Sequence, residues 1–131
     1  MGIYEEVITK VIKNLGIPAS VMGYRYVRYA IELIACDMNL IGAIVKEVYP
    51  RVAKEFNTTA SRTERAIRHA IETGWDRADA DFKLKLFGHS IGANKVKPTN
   101  SEFMATVADF VLMMQSGEEK GGAKTDGGKA E

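Results

Sequence analysis

The sequence predicts an all-α fold, on three observations. Apolar residues recur at three- and four-residue spacing in one block after another. No stretch alternates with period two for long enough to make a strand. Helix-stopping and helix-starting signals cut the periodic blocks into helix-length pieces: Gly16-Ile17-Pro18, and two later Ser/Thr-x-x-Glu pairs. The 131 residues are 46% apolar and 27% charged, the composition of one ordinary globular domain with a real core. No apolar run approaches the ~20 residues of a membrane span. The start, Met1-Gly2-Ile3-Tyr4-Glu5-Glu6, has neither the basic opening nor the apolar block of a secretory signal. A single cysteine, Cys36, excludes an intrachain disulfide and a Cys-based zinc site. The expected compartment is therefore reducing and cytoplasmic.

The elements follow in order. Ile3, Val7, Ile8, Val11, Ile12 and Leu15 trace the apolar face of a first helix, which Gly16 and Pro18 end. A second helix over about 20–36 turns Val27, Ala30, Ile31 and Ile34 inward, with Cys36 expected as a small buried hydrophobe at its end. Leu40, Ala43, Ile44 and Val48 begin a third helix that Pro50 breaks or kinks, and Arg51 to Phe56 forms a short helical piece. After the polar turn Asn57-Thr58-Thr59-Ala60, a helix runs from about Ser61 to Trp75. Its N-cap is Ser61, in a capping box with Glu64, or alternatively Thr59. A short apolar-basic piece, Phe82 to Phe87, leads into Gly88, and His89 to Lys97 reads as a loop. Thr99-x-x-Glu102 opens a last helix with Phe103, Met104, Val107, Ala108, Val111, Leu112 and Met114 apolar. So wide an apolar face is either deeply buried or shared with another molecule. Residues 116–131 hold five Gly and no large apolar residue, and are expected to be a disordered tail or a cloning remnant following a domain over 1–115.

The formal net charge is only +1, but the charge is uneven. Lys46 to His69 holds six basic residues against three acids, and Phe82 to Ser101 holds Lys83, Lys85, Lys95 and Lys97 with no acid. Such clustering bears on phosphate binding more than the total does, while the near-neutral total predicts weak non-specific affinity for nucleic acid.

Function is written most densely between Arg51 and Ala70. A short helix with a small residue, Ala53, is followed four residues later by Asn57 and then by a second helix. Helix-turn-helix units need a small residue where the helices touch and a turn residue that accepts positive φ; Asn is the best substitute for Gly there. In the second helix Ile67, Ala70, Ile71 and Trp75 form the inward stripe, and Arg62, Arg65, Arg68, His69 and Glu72 face outward beside Glu64. Arg forks suit guanine O6 and N7, Glu accepts from cytosine N4, and flanking hydroxyls and amides hold phosphates. The bland alternative is a solvated face of intrahelical ion pairs. Thr63 departs from the generic motif, standing where such units usually bury Val or Ile.

Three runs carry a resemblance. They are Phe56-Asn-Thr-Thr-Ala-Ser-Arg-Thr-Glu-Arg-Ala-Ile-Arg-His-Ala-Ile-Glu, Lys97-Pro-Thr-Asn-Ser-Glu-Phe-Met-Ala-Thr-Val-Ala-Asp, and the opening Gly16-Ile-Pro-Ala with Gly23-Tyr-Arg-Tyr-Val-Arg-Tyr-Ala-Ile. Together, over roughly residues 3–113, they resemble the C-terminal DNA-binding effector domain of the sporulation master response regulator of endospore-forming bacteria. The resemblance implies a six-helix domain containing a helix-turn-helix that binds tandem TGTCGAA-like boxes of double-stranded DNA. It implies a head-to-tail homodimer through the last helices, and activation or repression of transcription. Carried over by position, Glu64 and Arg65 are the principal base-contacting pair, with Arg62, Arg68 and His69 as further DNA-facing positions. Asn57, Thr58, Thr59 and Ser61 contact the DNA backbone, a set to which Lys54 is added. The family's contact with the sigma subunit of RNA polymerase falls on Ala78 to Phe87, where Leu86 and Phe87 match and Asp81, Lys83 and Lys85 stand at positions that tend to be uncharged. Phe103, Val107, Phe110 and Met114 are the expected dimer face. The family's receiver domain has no counterpart here, which suggests an effector fragment or a stand-alone form.

Catalysis is the rival class. His69 and His89 lack a supporting ligand spacing, so no metal is expected. There is no phosphate-binding Gly-rich loop, and Gly88-His-Ser-Ile-Gly is out of register with Gly-x-Ser-x-Gly. Neither an enzyme nor a cofactor is expected. The other rival is a helical module that docks a protein on its last helix.

Overall fold

The computed structural model describes residues 2–88 and 97–124. Helix α1 spans Glu5–Asn14 and buries Ile8, Val11 and Ile12, with Glu5 and Glu6 in its first turn and Lys13 in its last, as the helix dipole favours. It stops at Gly16, whose φ of +83° suits glycine, and an added Cβ there would collide with the Gly74 carbonyl. The α1 stop and the far end of a later helix are thus packed backbone to backbone.

Helix α2, Met22–Cys36, is the centre of the domain and packs against α1, α4 (Ala60–Trp75) and α6 (Asn100–Lys124). Val27, Ala30, Ile31 and Ile34 are all fully buried, as their spacing predicts. Gly23 lets α2 approach the helix over Ala60–Trp75 closely: a Cβ there would strike the Ala66 carbonyl. Cys36 corrects an expectation, for it is exposed, with its Sγ 3.7 Å from Glu32 Oε2. Partial burial and the neighbouring carboxylate both push the thiol pKa up. At the last position of α2 the side chain lies beyond the inward stripe, so small size alone did not bury it.

The segment after α2 is not one broken helix. A 3-10 turn, Met38–Ala43, is started by the Asp37 side chain accepting from the Asn39 amide, and passes into a π turn, Ile44–Val48. Helix α3 follows at Tyr49–Glu55, with Pro50 in its first turn. Pro50 therefore opens a helix, where its missing N–H is no loss, rather than breaking one. The wider π register closes on the Tyr49 amide, which donates to the Ile44 carbonyl, one residue before the proline. Leu40, Ile44 and Val48 stay buried throughout, so the apolar spacing is honoured while the helix type changes.

Three more helices complete the fold: α4 at Ala60–Trp75, α5 at Ala80–Phe87 and α6 at Asn100–Lys124. The described residues thus hold six α-helices and no strand. Asp79 caps α5 by accepting from the Phe82 amide at 2.8 Å. At the start of α6 the Thr99–Glu102 box is reciprocal: the Thr99 amide donates to Glu102 Oε1 at 2.9 Å, and the Glu102 amide to Thr99 Oγ1 at 3.1 Å. Helical backbone in α6 continues past Ser116, where composition alone places the start of the tail. The expected loop lies, but for Lys97, outside the described residues. No helix among the described residues is long and apolar enough to cross a membrane.

Candidate nucleic-acid interface

The turn between α3 and α4 is built by hydrogen bonds that any recognition surface there depends on. Val52 and Ala53 are buried, and α3 ends at Phe56, whose ring packs against Tyr26 and Tyr29 at centroid distances of 5.1 and 5.7 Å. Asn57 then takes φ +56°, the sole positive φ of a non-glycine among the described residues. The Thr58 amide donates to the Ala53 carbonyl at 2.9 Å and the Asn57 amide to the Lys54 carbonyl at 3.4 Å. That pair of bonds is a Schellman closure, with Asn in the left-handed position usually given to Gly. The spacing of Ala53 and Asn57 in the sequence is thereby explained.

Helix α4 starts two residues earlier than its Ser61 box predicts, at the alternative cap. Thr59 is the N-cap: its Oγ1 accepts from the Arg62 amide at 3.1 Å. Ser61 is consequently a first-turn residue with its side chain exposed. Thr63 is 0% exposed, and its hydroxyl donates to the Thr59 carbonyl at 2.9 Å. A buried Thr can thus replace Val at this position, because its polar atom is satisfied. Ile67, Ala70, Ile71 and Trp75 are the buried stripe, as expected.

On the other side of α4, Arg62, Arg65, Arg68, His69 and Glu72 are exposed and Glu64 is half-buried. Among the described residues neither the Arg62 nor the Arg65 guanidinium makes an ion pair or hydrogen bond. Arg68 is engaged: its Nε lies 3.1 Å from Glu64 Oε2 and its Nη2 3.3 Å from Oε1, a fork-on-carboxylate pair. His69 Nε2 lies 3.4 Å from Thr73 Oγ1. Lys54, Asn57, Thr59 and Ser61 are exposed around the turn and Thr58 is half-buried, so the expected backbone-contacting set is gathered at one end of α4.

Helices α5 and α6 place several expected contact residues in the core instead. Phe87 is buried, its ring edge-on to Trp75 at 5.0 Å and tilted against Phe103 at 5.9 Å. It is therefore not a surface for polymerase, while Leu86 is half-buried and Leu84 is 61% exposed. Phe103 and Val107 are fully buried and Phe110 nearly so, which corrects the expected dimer face. Phe103 and Phe110 meet rings of α5, Phe87 and Phe82, at centroid distances of 5.9 Å each, while α6 as a whole also packs on α1 and α2. Met114 and its neighbour Met113, 61% exposed, are the large apolar residues that α6 exposes among the described residues. The second basic cluster is also largely committed internally. Lys83 Nζ donates to the Trp75 carbonyl at 2.8 Å and sits over the indole, Lys85 lies over the Phe110 ring, and Lys97 is 3.7 Å from Asp76. Lys95 and His89 lie outside the described residues.

The comparison with known families decides what this arrangement belongs to. The model of the sporulation initiation factor Spo0A C-terminal domain matches residues 8–111, from within α1 to within α6. The chain belongs to the Spo0A C-terminal family. It is a DNA-binding transcription factor domain of sporulation initiation, the effector part of a response regulator, and this is not an enzyme family.

Two features of this Spo0A C-terminal domain were not legible in its sequence. Lys83, eight residues beyond Trp75, caps the end of α4 through space. Asn100, the first residue of α6, donates through Nδ2 to the Tyr49 hydroxyl at 3.0 Å and to the Glu64 carbonyl at 3.2 Å. Both join separate helices through a single side chain, and no helical spacing signals them.

Proposed function

We propose that α4 enters the major groove of tandem TGTCGAA-like boxes and reads them through its exposed face, to activate or repress transcription. Arg65, with Glu64, is the principal base-contacting pair; Arg62, Arg68 and His69 are further DNA-facing groups. Lys54, Asn57, Thr58, Thr59 and Ser61 hold the phosphate backbone and set the register of α4. The observation that carries this reading is the pair of exposed guanidinium groups, Arg62 and Arg65, left without an internal partner beside a turn closed at Asn57. A solvated ion-pair face would commit its arginines as Arg68 is committed. The Glu64–Arg68 pair then serves to hold the carboxylate in place until cytosine N4 competes for it.

In this reading the working unit is residues 1–115, and two copies bind head to tail. Since Phe103, Val107 and Phe110 are buried, this reading assigns the contact between copies to Met113 and Met114, exposed near the middle of α6. Any contact with the sigma subunit falls to Leu84 and Leu86 of α5. The domain acts without cofactor or catalysis in the cytoplasm. Fluorescence anisotropy with a tandem-box duplex and a scrambled one of equal length tests the reading. It predicts tighter binding to the tandem boxes by a factor on the order of 10³ or more. Equal affinity for the two duplexes refutes it.

A further inference from the structure

Asn100 carries an inference that rests on the DNA-binding reading above. A primary amide offers two N–H donors, and Asn100 Nδ2 has two acceptors, in two different helices. Tyr49 begins α3, and Glu64 lies in the first half of α4, 51 and 36 residues away in sequence. The Glu64 carbonyl belongs to an α-helical ladder and takes this second bond on its remaining lone pair. Three helices therefore meet at one side chain. This amide is not needed to cap its own helix, because Thr99 and Glu102 already cap it reciprocally. Nor is it a solvated surface group, for Asn100 is half-buried and Tyr49 is buried.

We propose that Asn100 is a positioning residue for base recognition, which fixes the turn of α4 bearing Glu64 and Arg65 against α3 and ties both to α6. The turn at Asn57 fixes where α4 begins but leaves its roll about its own axis to side-chain packing. A roll of ~10° moves a guanidinium held ~8 Å from the axis by roughly 1.4 Å, enough to spoil a bidentate contact. Asn100 opposes that roll at the residue adjoining Arg65. Because α6 is also the helix proposed to meet a second copy, the same amide links the base-reading surface to the pairing surface. Side chains that keep the volume but lose the donors cannot do this. Aspartate would set a carboxylate against the Glu64 carbonyl, and leucine would leave that carbonyl's second lone pair and the tyrosine oxygen without the amide.

The test compares wild type, Asn100→Ala, Tyr49→Phe and the double variant by anisotropy on tandem-box and scrambled duplexes at one salt concentration. Asn100→Ala should weaken tandem-box binding about tenfold, equal to ~1.4 kcal/mol, and scrambled binding less than about twofold. Tyr49→Phe keeps the ring and removes only the acceptor, so it should fold normally and show a smaller loss of the same selective kind. The double variant should be no worse than Asn100→Ala alone, since one bond cannot be lost twice. Hydrogen exchange in the absence of DNA should quicken at amides 64–68 in Asn100→Ala. Equal losses on both duplexes, or additive losses in the double variant, overturn the positioning role while leaving DNA recognition standing. A wild-type protein that binds both duplexes alike overturns DNA recognition itself, and the positioning role with it.

Discussion

Replacing Asn57 by valine isolates the conformational demand of the turn between α3 and α4. Asn57 is exposed, so its side chain contributes no core packing. The two closing bonds, from the Asn57 and Thr58 amides, are made by backbone and persist with any side chain except proline. What changes is the energy of holding φ at +56°. The left-handed region costs an ordinary L residue ~1–2 kcal/mol, Asn less, and a β-branched residue most. Asn57→Val should therefore destabilise the domain by ~1–2 kcal/mol, which at roughly 4 °C per kcal/mol lowers Tm by about 4–8 °C. Asn57→Gly accepts the same φ without penalty and should melt within about 2 °C of wild type. Thermal unfolding followed by far-ultraviolet circular dichroism measures both. A valine variant that melts with wild type, or a glycine variant that falls as far as valine, refutes the reasoning.

Other perturbations reach the remaining parts of the account. Phe103→Ala removes a fully buried ring from the α6 core and should lower urea stability by ~3–5 kcal/mol; a change below about 1 kcal/mol would place the ring at an interface instead. Met113→Glu alters an exposed residue and should leave Tm and single-box affinity unchanged while reducing cooperative filling of tandem boxes, read by titrating one-box and two-box duplexes. Burial raises the Tyr49 hydroxyl pKa above the ordinary tyrosine value, opposed by its bond from Asn100. The folded state thus holds that proton more tightly, so this stabilisation is complete below the ordinary value and fades as pH rises through the folded one. The urea stability of wild type should accordingly fall relative to Tyr49→Phe at alkaline pH, and a pH-independent difference would contradict this. Tandem-box affinity should drop as salt rises, with log K falling by ~0.9 per phosphate neutralised for each unit of log salt; a flat response would exclude phosphate contacts.

Long-period features of this domain were legible in the sequence and singular contacts were not. The helices α1, α2 and α4 follow from apolar spacing because each buries one continuous stripe, and that stripe determines the face. Asn57 was legible because few residue types tolerate its φ, so residue type and position together specify the turn. At Pro50 the same logic misled: the proline rule says where a helix cannot continue, and the π turn before it supplied a new start. Ser61 lost the cap to Thr59 because the Schellman closure at Asn57 brings the chain into extended backbone at Thr59, two residues sooner. On α6 the sequence shows an apolar face but not which molecule covers it, and the domain's own α1 and α2 cover most of it. The lysines near α5 read as a phosphate patch because sequence counts charge without geometry, whereas Lys83 and Lys85 lie over aromatic rings. Glu64 and Arg68 were legible as neighbours on one helix, but Asn100 depends on tertiary approach alone.

The central claim is that α4 reads base edges, and Arg65→Ala tests it most directly when measured on intact boxes and on boxes with single base pairs replaced. The account predicts a loss of ~1–3 kcal/mol on the intact box and almost none on the box lacking the base pair that Arg65 reads. An equal loss on every box, scrambled duplex included, would show that Arg65 only holds phosphate and would contradict it.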